Sequence, residues 1–265
     1  MDDSVSNSDV RDVWDANAEF WDAHMGEEGN TFHRELVAPA AERLLEVQSG
    51  ERVLEIACGT GLFARRMVEL GARVLATDVS GVMVRMARQK FADASAPIEF
   101  RQLDAADPAQ MGALPENGFD AAVCNMALFD MIEIAPLFQG LARALVPGGR
   151  FVFTICHPSF NTNASIRMVE QEDREGEILT CHSMKVTKYK GLGPARAIGI
   201  VGQPRVQHTF HRPLSNLLDP AFAAGFSLDG LLEPSFISAA DSKRSLEMRN
   251  FAEFPMVLAG RLRLR

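Results

Sequence analysis

From Arg52 onward, short and nearly continuous apolar runs alternate with longer stretches in which apolar residues recur every three or four positions. Runs of the first kind suit strands buried on both faces; the second kind suits helices that bury one side. Arg52–Ala57, Arg73–Thr77, Ile98–Leu103, Phe119–Cys124 and Arg150–Cys156 predict five strands. Between them lie predicted helices at Leu62–Leu70, closed by Gly71, and from a Ser80 cap to Phe91. A further helix is predicted at Pro136–Leu145, ended by Pro147-Gly148-Gly149, while Pro108, Pro115 and Gly118 mark a polar loop. Such alternation implies a mostly parallel α/β sheet, doubly wound because parallel crossovers share one hand.

Two helices precede this core. Val10, Val13, Trp14, Ala18 and Trp21 give helical spacing over Asp9–Asp22, and Phe32–Val47 repeats the pattern before Gly50. After Pro158 the rhythm breaks until about Arg212. The segment NTNASIRMVEQEDREGEILT reads as polar, whereas CHSMKVTKYK and VQHTFHR alternate as short strands do. This is expected to be an insertion over the carboxyl edge of the sheet, since an unstructured loop of that length is unusual. A helix follows Pro213 with an interruption at Pro220, and Phe226–Glu233 and Met256–Leu264 complete seven strands. The expected division is a helical lid over 1–50, a core over 51–157, a cap over 158–212 and completion of the sheet over 213–265.

The chemistry concentrates at strand ends. Val53-Leu54-Glu55-Ile56-Ala57-Cys58-Gly59-Thr60-Gly61 runs from a buried strand through a glycine turn into a helix. Glycines there let the backbone approach a ligand, and free amides at the helix start favour an anionic group. Gly59-x-Gly61-x-x-Ala64 also fits the dinucleotide fingerprint, so the turn alone decides little. Asp78 ends the second strand, where a carboxylate accepts from both hydroxyls of a ribose. Asp104 follows the third strand, either as a helix cap or as an acceptor for an adenine amino group, and Asn125 follows the fourth. Ligands of doubly wound sheets bind outside these strand ends, so four suitable residues converge on one crevice.

VLEIACGTG at 53–61, LATDVS at 75–80, FRQLDAAD at 100–107, FDAAVCNMAL at 119–128 and LVPGGRFVF at 145–153 resemble successive motifs of the class I S-adenosylmethionine-dependent methyltransferases. WDANAEFWDAHM resembles the aromatic-rich helix ahead of the core in ubiquinone/menaquinone-type methyltransferases, with Trp14 and Trp21 where Tyr or Phe is usual. The resemblance implies a Rossmann-like fold binding S-adenosyl-L-methionine, with S-adenosyl-L-homocysteine as product. It places Ala57, Cys58, Gly59 and Gly61 at the methionine moiety with Glu55 supporting the loop, and Asp78 at the ribose. Val79 and Met83 then lie beside the adenine, Asp104 and Ala105 contact it, and Asn125 with Met126 offers groups at the methionine end. Trp14 and Trp21 would form an aromatic lid over a sulfonium, which tryptophan faces attract.

Composition narrows the acceptor. A formal charge of -8 and an isoelectric point near 5.3 argue against a broad nucleic-acid surface. No apolar run reaches the ~20 residues of a membrane helix, and the acidic start is unlike a signal peptide, so a cytoplasmic enzyme with a small-molecule methyl acceptor is expected. Cys58, Cys124, Cys156 and Cys181 form no C-x-x-C pair; the first three fall at strand ends and read as small apolar thiols in preference to a soft-metal site. For a proton-bearing nucleophile the candidate bases are His157, His208 and His211, with His24 and His33 near the lid, and Tyr189 reads as an exposed-strand residue. The acceptor atom (carbon, oxygen or nitrogen) and the oligomeric state stay open. An NAD-dependent oxidoreductase and a non-catalytic cofactor-binding regulator are the alternatives.

Overall fold

The computed structural model describes residues 5–92, 96–237 and 244–265. Helix α1 (Asn7–Met25) starts at a capping box in which Ser6 and Asp9 exchange hydrogen bonds. A π-helical turn (His33–Val37) runs into α2 (Ala38–Leu45), so the predicted second helix is one continuous coil with a widened first turn.

Strands β1 (Arg52–Ile56), β2 (Arg73–Asp78), β3 (Ile98–Gln102), β4 (Phe119–Asn125) and β5 (Leu145–Cys156) are parallel neighbours in the order β5-β4-β1-β2-β3. β5 begins earlier than Arg150 because Leu145 pairs with Phe119, ahead of an irregularity after which Arg150 pairs with Ala121. The crossovers are α3 (Leu62–Glu69), α4 (Gly81–Lys90), α5 (Pro108–Gly112) and α6 (Ala135–Ala144). The polar stretch after the third strand was expected to be loop; it folds as α5 because Asp107 caps Ala109 and Gln110 with Pro108 in the first turn.

Beyond β5 the chain leaves the sheet. β6 (Ser165–Arg174) and β7 (Glu177–Val186) form an antiparallel ribbon, and β8 (Ala195–Ala197) pairs with β9 (Gln207–Thr209). The polar segment at 161–180 is therefore largely strand, a correction to the sequence reading. Most of the ribbon is exposed, with Val169, His182 and Met184 set against the Phe251 cluster, so little demand for apolar alternation falls on it. Helix α7 (Leu214–Ala223) keeps Pro220 inside it, and β10 (Phe226–Leu232) and β11 (Val257–Leu264) finish a seven-stranded sheet ordered β10-β11-β5-β4-β1-β2-β3. Only β11 runs against its neighbours.

Both faces are covered, as parallel strands require. On one side Phe138, Leu141, Leu217 and Phe226 pack on Phe151 and Leu54; on the other, Leu44, Phe63, Met67 and Val84 pack on Val53, Val74 and Phe100. Each such side chain contributes roughly 1.5–3 kcal/mol by leaving water. Strand order reverses between β1 and β4, and that switch point opens the crevice where the candidate residues meet. Among the described residues, no helix is long and apolar enough to cross a membrane.

Candidate functional site

A cavity of about 1000 Å³ lies over the carboxyl ends of the parallel strands. Its floor begins where β1 stops. Ala57 turns the chain at φ 57°, Gly59 at 55° and Gly61 at 87°, and Gly61 caps α3. Met126 repeats this geometry after β4 at φ 55°. Two non-glycine residues in the left-handed region, on adjacent strands, are strain held by the surrounding packing.

Asp78 links two of the strand ends in this wall. Its Oδ2 accepts the Gly59 N–H at 2.8 Å and its Oδ1 the Ser80 N–H at 2.8 Å, tying the glycine turn to the end of β2. A carboxylate has about four acceptor positions, so two stay free for a ligand. Burial pushes this carboxyl up to about 6, against the lowering effect of those amides; nearby Asp15 adds to the rise. Asp104 accepts the Ala106 N–H at 2.8 Å, and burial raises it as well.

Glu55 Oε2, Asn125 Nδ2 and Trp21 Nε1 are buried without a partner among the described residues, and all three residues line the cavity. Asn125 is oriented because its Oδ1 accepts from Thr154 Oγ1 at 3.0 Å, which turns its amide nitrogen to the cavity. Leaving such groups unpaired costs ~1–3 kcal/mol each. Two donors and one acceptor suit the carboxylate and ammonium of an amino acid, so the wall fits the methionine end of the expected cofactor. Burial, reinforced by Asp78, raises the Glu55 carboxyl well above its ordinary range.

Helix α1 roofs this side. Trp14 and Trp21 both line the cavity and meet edge-on, with ring centroids 5.3 Å apart. Asp15 accepts from Ser80 Oγ at 2.6 Å, and Asp22 accepts from Thr60 Oγ1 at 2.5 Å and pairs with Lys90. Buried Asn17 exchanges two 2.8 Å hydrogen bonds with the backbone of Arg205, which joins α1 to the chain just ahead of β9.

Of the residues expected at the cofactor, Trp14, Trp21, Glu55, Ala57, Cys58, Gly59, Asp78, Val79, Met83, Asp104, Ala105, Asn125 and Met126 line the cavity. Gly61 does not. A Cβ there would sit 2.9 Å from the Phe100 ring and 3.0 Å from Phe91, so this glycine serves helix packing. Cys58, Cys124 and Cys156 stand at three neighbouring strands, and burial raises all three thiols, Cys156 to about 12. They are thiols at neutral pH.

The candidate bases divide. His211 lines the cavity, with Nε2 on the Tyr189 carbonyl at 2.8 Å. His157 lies outside the wall: Nε2 meets Glu233 at 3.0 Å and Nδ1 accepts the Ser159 N–H, so both nitrogens are occupied. His208 is also outside it, since alternation along β9 sends Gln207 and Thr209 inward instead. His24 stacks on Phe20 away from the wall, and His33 lines it with its pKa lowered by burial to about 4. Tyr189 donates no wall group; its hydroxyl accepts the Leu214 N–H.

Sequence reasoning missed Asp130, Gln207 and Arg212. Asp130 is 5% exposed, lines the cavity, and accepts from Gln207 Nε2 at 3.4 Å. Its signal was available: one carboxylate inside the apolar run ALFDMI. Arg212 donates to the carbonyls of Leu128, Phe210, Met131 and Ile132, fastening the loop after β4 to the cap.

Residues 53–149 match the model of a methyltransferase domain. That span holds the glycine turn, Asp78, Asp104 and Asn125. The likeness to a methyltransferase domain thus covers the residues that build the cavity floor. The chain resembles the crystal structure of an S-adenosylmethionine dependent methyltransferase from Mesorhizobium loti, with 28% identity, a TM-score of 0.63, and 85% of this chain and 96% of that one covered. Ubiquinone biosynthesis O-methyltransferase from Xanthomonas oryzae pv. oryzae is 32% identical over 102 residues, 38% of this chain and 41% of that protein. Demethylmenaquinone methyltransferase from Clavibacter sepedonicus is 34% identical over 115 residues, 43% of this chain and 44% of that protein. The chain thus spans less than half the length of these curated relatives.

Proposed function

We propose that this chain is a cytoplasmic enzyme that transfers a methyl group from S-adenosylmethionine to a small-molecule acceptor. The observation that carries the reading is convergence: Gly59, Asp78 and Asp104 from three strand ends share one cavity wall with the unpartnered atoms of Glu55, Asn125 and Trp21. Asp78 would hold the ribose, Asp104 and Ala105 the adenine, and Asn125 with Glu55 the amino-acid end. When bound, S-adenosylmethionine supplies an electrophilic methyl group. The chain's own task is then to orient the acceptor and exclude water, the proximity contribution to rate. Helix α1 and the β8–β9 hairpin close over the cavity and serve that end.

Calorimetric titration with S-adenosylhomocysteine tests this reading. Binding in the wild type, weakened strongly by Asp78→Ala, is expected; absence of binding by both S-adenosylmethionine and S-adenosylhomocysteine overturns it. Turnover with any acceptor separates an enzyme from a regulator that only retains the cofactor.

A further inference from the structure

The cavity has two sides. Gly59, Asp78 and Asp104 follow β1, β2 and β3, whereas Asp130, Cys156 and Asn161 follow β4 and β5 on the other flank of the switch point. Phe129, Met131 and Ile132 stand beside Asp130 in the chain and, with Ile155, Ile198 and Phe210, give the same cavity an apolar wall. Asp130 Oδ1 takes the Gln207 contact, and among the described residues Oδ2 has no protein partner.

Charge on this side is unbalanced. Arg212 lines the cavity, but its Nη1 and Nη2 donate to four backbone carbonyls and its charge is not among those acting on Asp130. Arg249 pairs with Glu35 at 2.5 Å and lies over the Phe236 ring. His33 is held neutral by burial, and His211 is engaged by Tyr189. Glu55, Asp78 and Asp130 are buried carboxyl groups facing the same space, and the cationic cofactor of the proposed function would answer the first two. A buried carboxyl with no cation beside it is costly unless a ligand brings one.

Resting on the methyl-transfer reading, we propose that the acceptor is an apolar amine, and that the Asp130 carboxylate receives its nitrogen in the cavity. Burial keeps a proton on the resting carboxyl; that proton leaves to solvent as an incoming ammonium pairs with Oδ2. Its N–H bond breaks and the proton passes to Oδ2; the freed nitrogen pair forms the bond to the methyl carbon, and the carbon–sulfur pair stays on sulfur. Burial raises the Asp130 carboxyl well above its usual range, with Gln207 opposing and Asp78 reinforcing the rise, so it is suited to take a proton from an amine. Gln207 is a positioning residue: Gln203 donates to its Oε1 at 3.3 Å and also to the Arg205 carbonyl, which carries the contact back to Asn17 on α1.

Three matched probes test this on the full chain saturated with S-adenosylhomocysteine: 4-phenylbutylamine, 4-phenylbutan-1-ol and 4-phenylbutyrate. Calorimetry is run in two buffers of different ionisation heat, so that proton release is read beside affinity. The amine is expected to bind roughly tenfold or more tighter than either other probe, the scale of one hydrogen bond to a charged group, and to release a proton. Asp130→Asn should abolish that preference and the proton release while S-adenosylhomocysteine affinity holds within about twofold. Gln207→Met, which keeps the carboxyl, should weaken the amine by roughly threefold without removing proton release. Preferential binding of the alcohol or carboxylate, an amine preference that survives Asp130→Asn, or no binding of any probe to the saturated protein would overturn the proposal. Failure to bind S-adenosylhomocysteine is a separate result and strikes the methyl-transfer reading itself.

Discussion

Thr60 Oγ1 donates to Asp22 Oδ1 at 2.5 Å, joining the tip of the glycine turn to the underside of the first helix. The contact couples the floor of the cavity to its roof, and Lys90 pairs with the same carboxylate from α4. Asp22→Ala is expected to weaken S-adenosylhomocysteine binding by roughly tenfold, since hydrogen bonds to charged groups contribute ~1.5–3 kcal/mol. Calorimetry beside a thermal melt checks it: the affinity should fall more than the melting temperature.

Cofactor affinity should depend on Asp78 ionisation. The folded protein holds the Asp78 proton up to about pH 6, against 3.8 for an ordinary aspartate. A raised carboxyl favours the folded state at low pH, and that contribution is lost as pH rises from about 4 through about 6. Ligand hydroxyls need the ionised form, so the opposite slope applies to binding. S-adenosylhomocysteine affinity is expected to fall towards about tenfold per unit as pH drops below about 6. Titrations between pH 5 and 8 (about the window needed) should show this slope in wild type and a flat profile in Asp78→Asn.

The two glycines of the turn should separate stability from binding. Gly61→Ala sets a methyl group 2.9 Å from Phe100 at a φ of 87°. It should cost roughly 2 kcal/mol or more in urea unfolding. At Gly59 an added Cβ meets only Met83 Sδ at 3.8 Å, so Gly59→Ala should fold with about 1 kcal/mol of backbone strain. The methyl would occupy the ligand's approach, and S-adenosylhomocysteine affinity should drop roughly tenfold or more.

Arg212 is expected to matter for stability through its four carbonyls. Arg212→Met should destabilise by roughly 2–4 kcal/mol, read from chemical denaturation, because buried acceptors lose their donors. Arg212→Lys should recover little, since an ammonium cannot span a fork of carbonyls.

The sheet was legible because parallel strands buried on both faces leave long apolar runs, and each of the seven predicted strands is found. Asp78, Asp104 and Asn125 were readable for a related reason: in a doubly wound sheet, the ends of strands are also the edge of the ligand crevice. Elements with no such constraint escaped. The β6–β7 ribbon is mostly exposed, so nothing fixes its pattern, and α5 is too short to show a period. His157 and His208 were named for their chemistry, but their orientation depends on Glu233 and on strand register, which no local pattern encodes. Asp130 was passed over because a lone carboxylate has no partner nearby in sequence; its contact, Gln207, lies 77 residues away.

Asn17 holds Arg205 across 188 positions of sequence. The entrance to the cavity is consequently framed by two pieces of chain that grip each other as well as the core. Opening it should displace the first helix and the β8–β9 hairpin as one body. A homologue that accepts a different molecule would be expected to alter both together, and a chimera exchanging only one of them should lose the fit of its own roof.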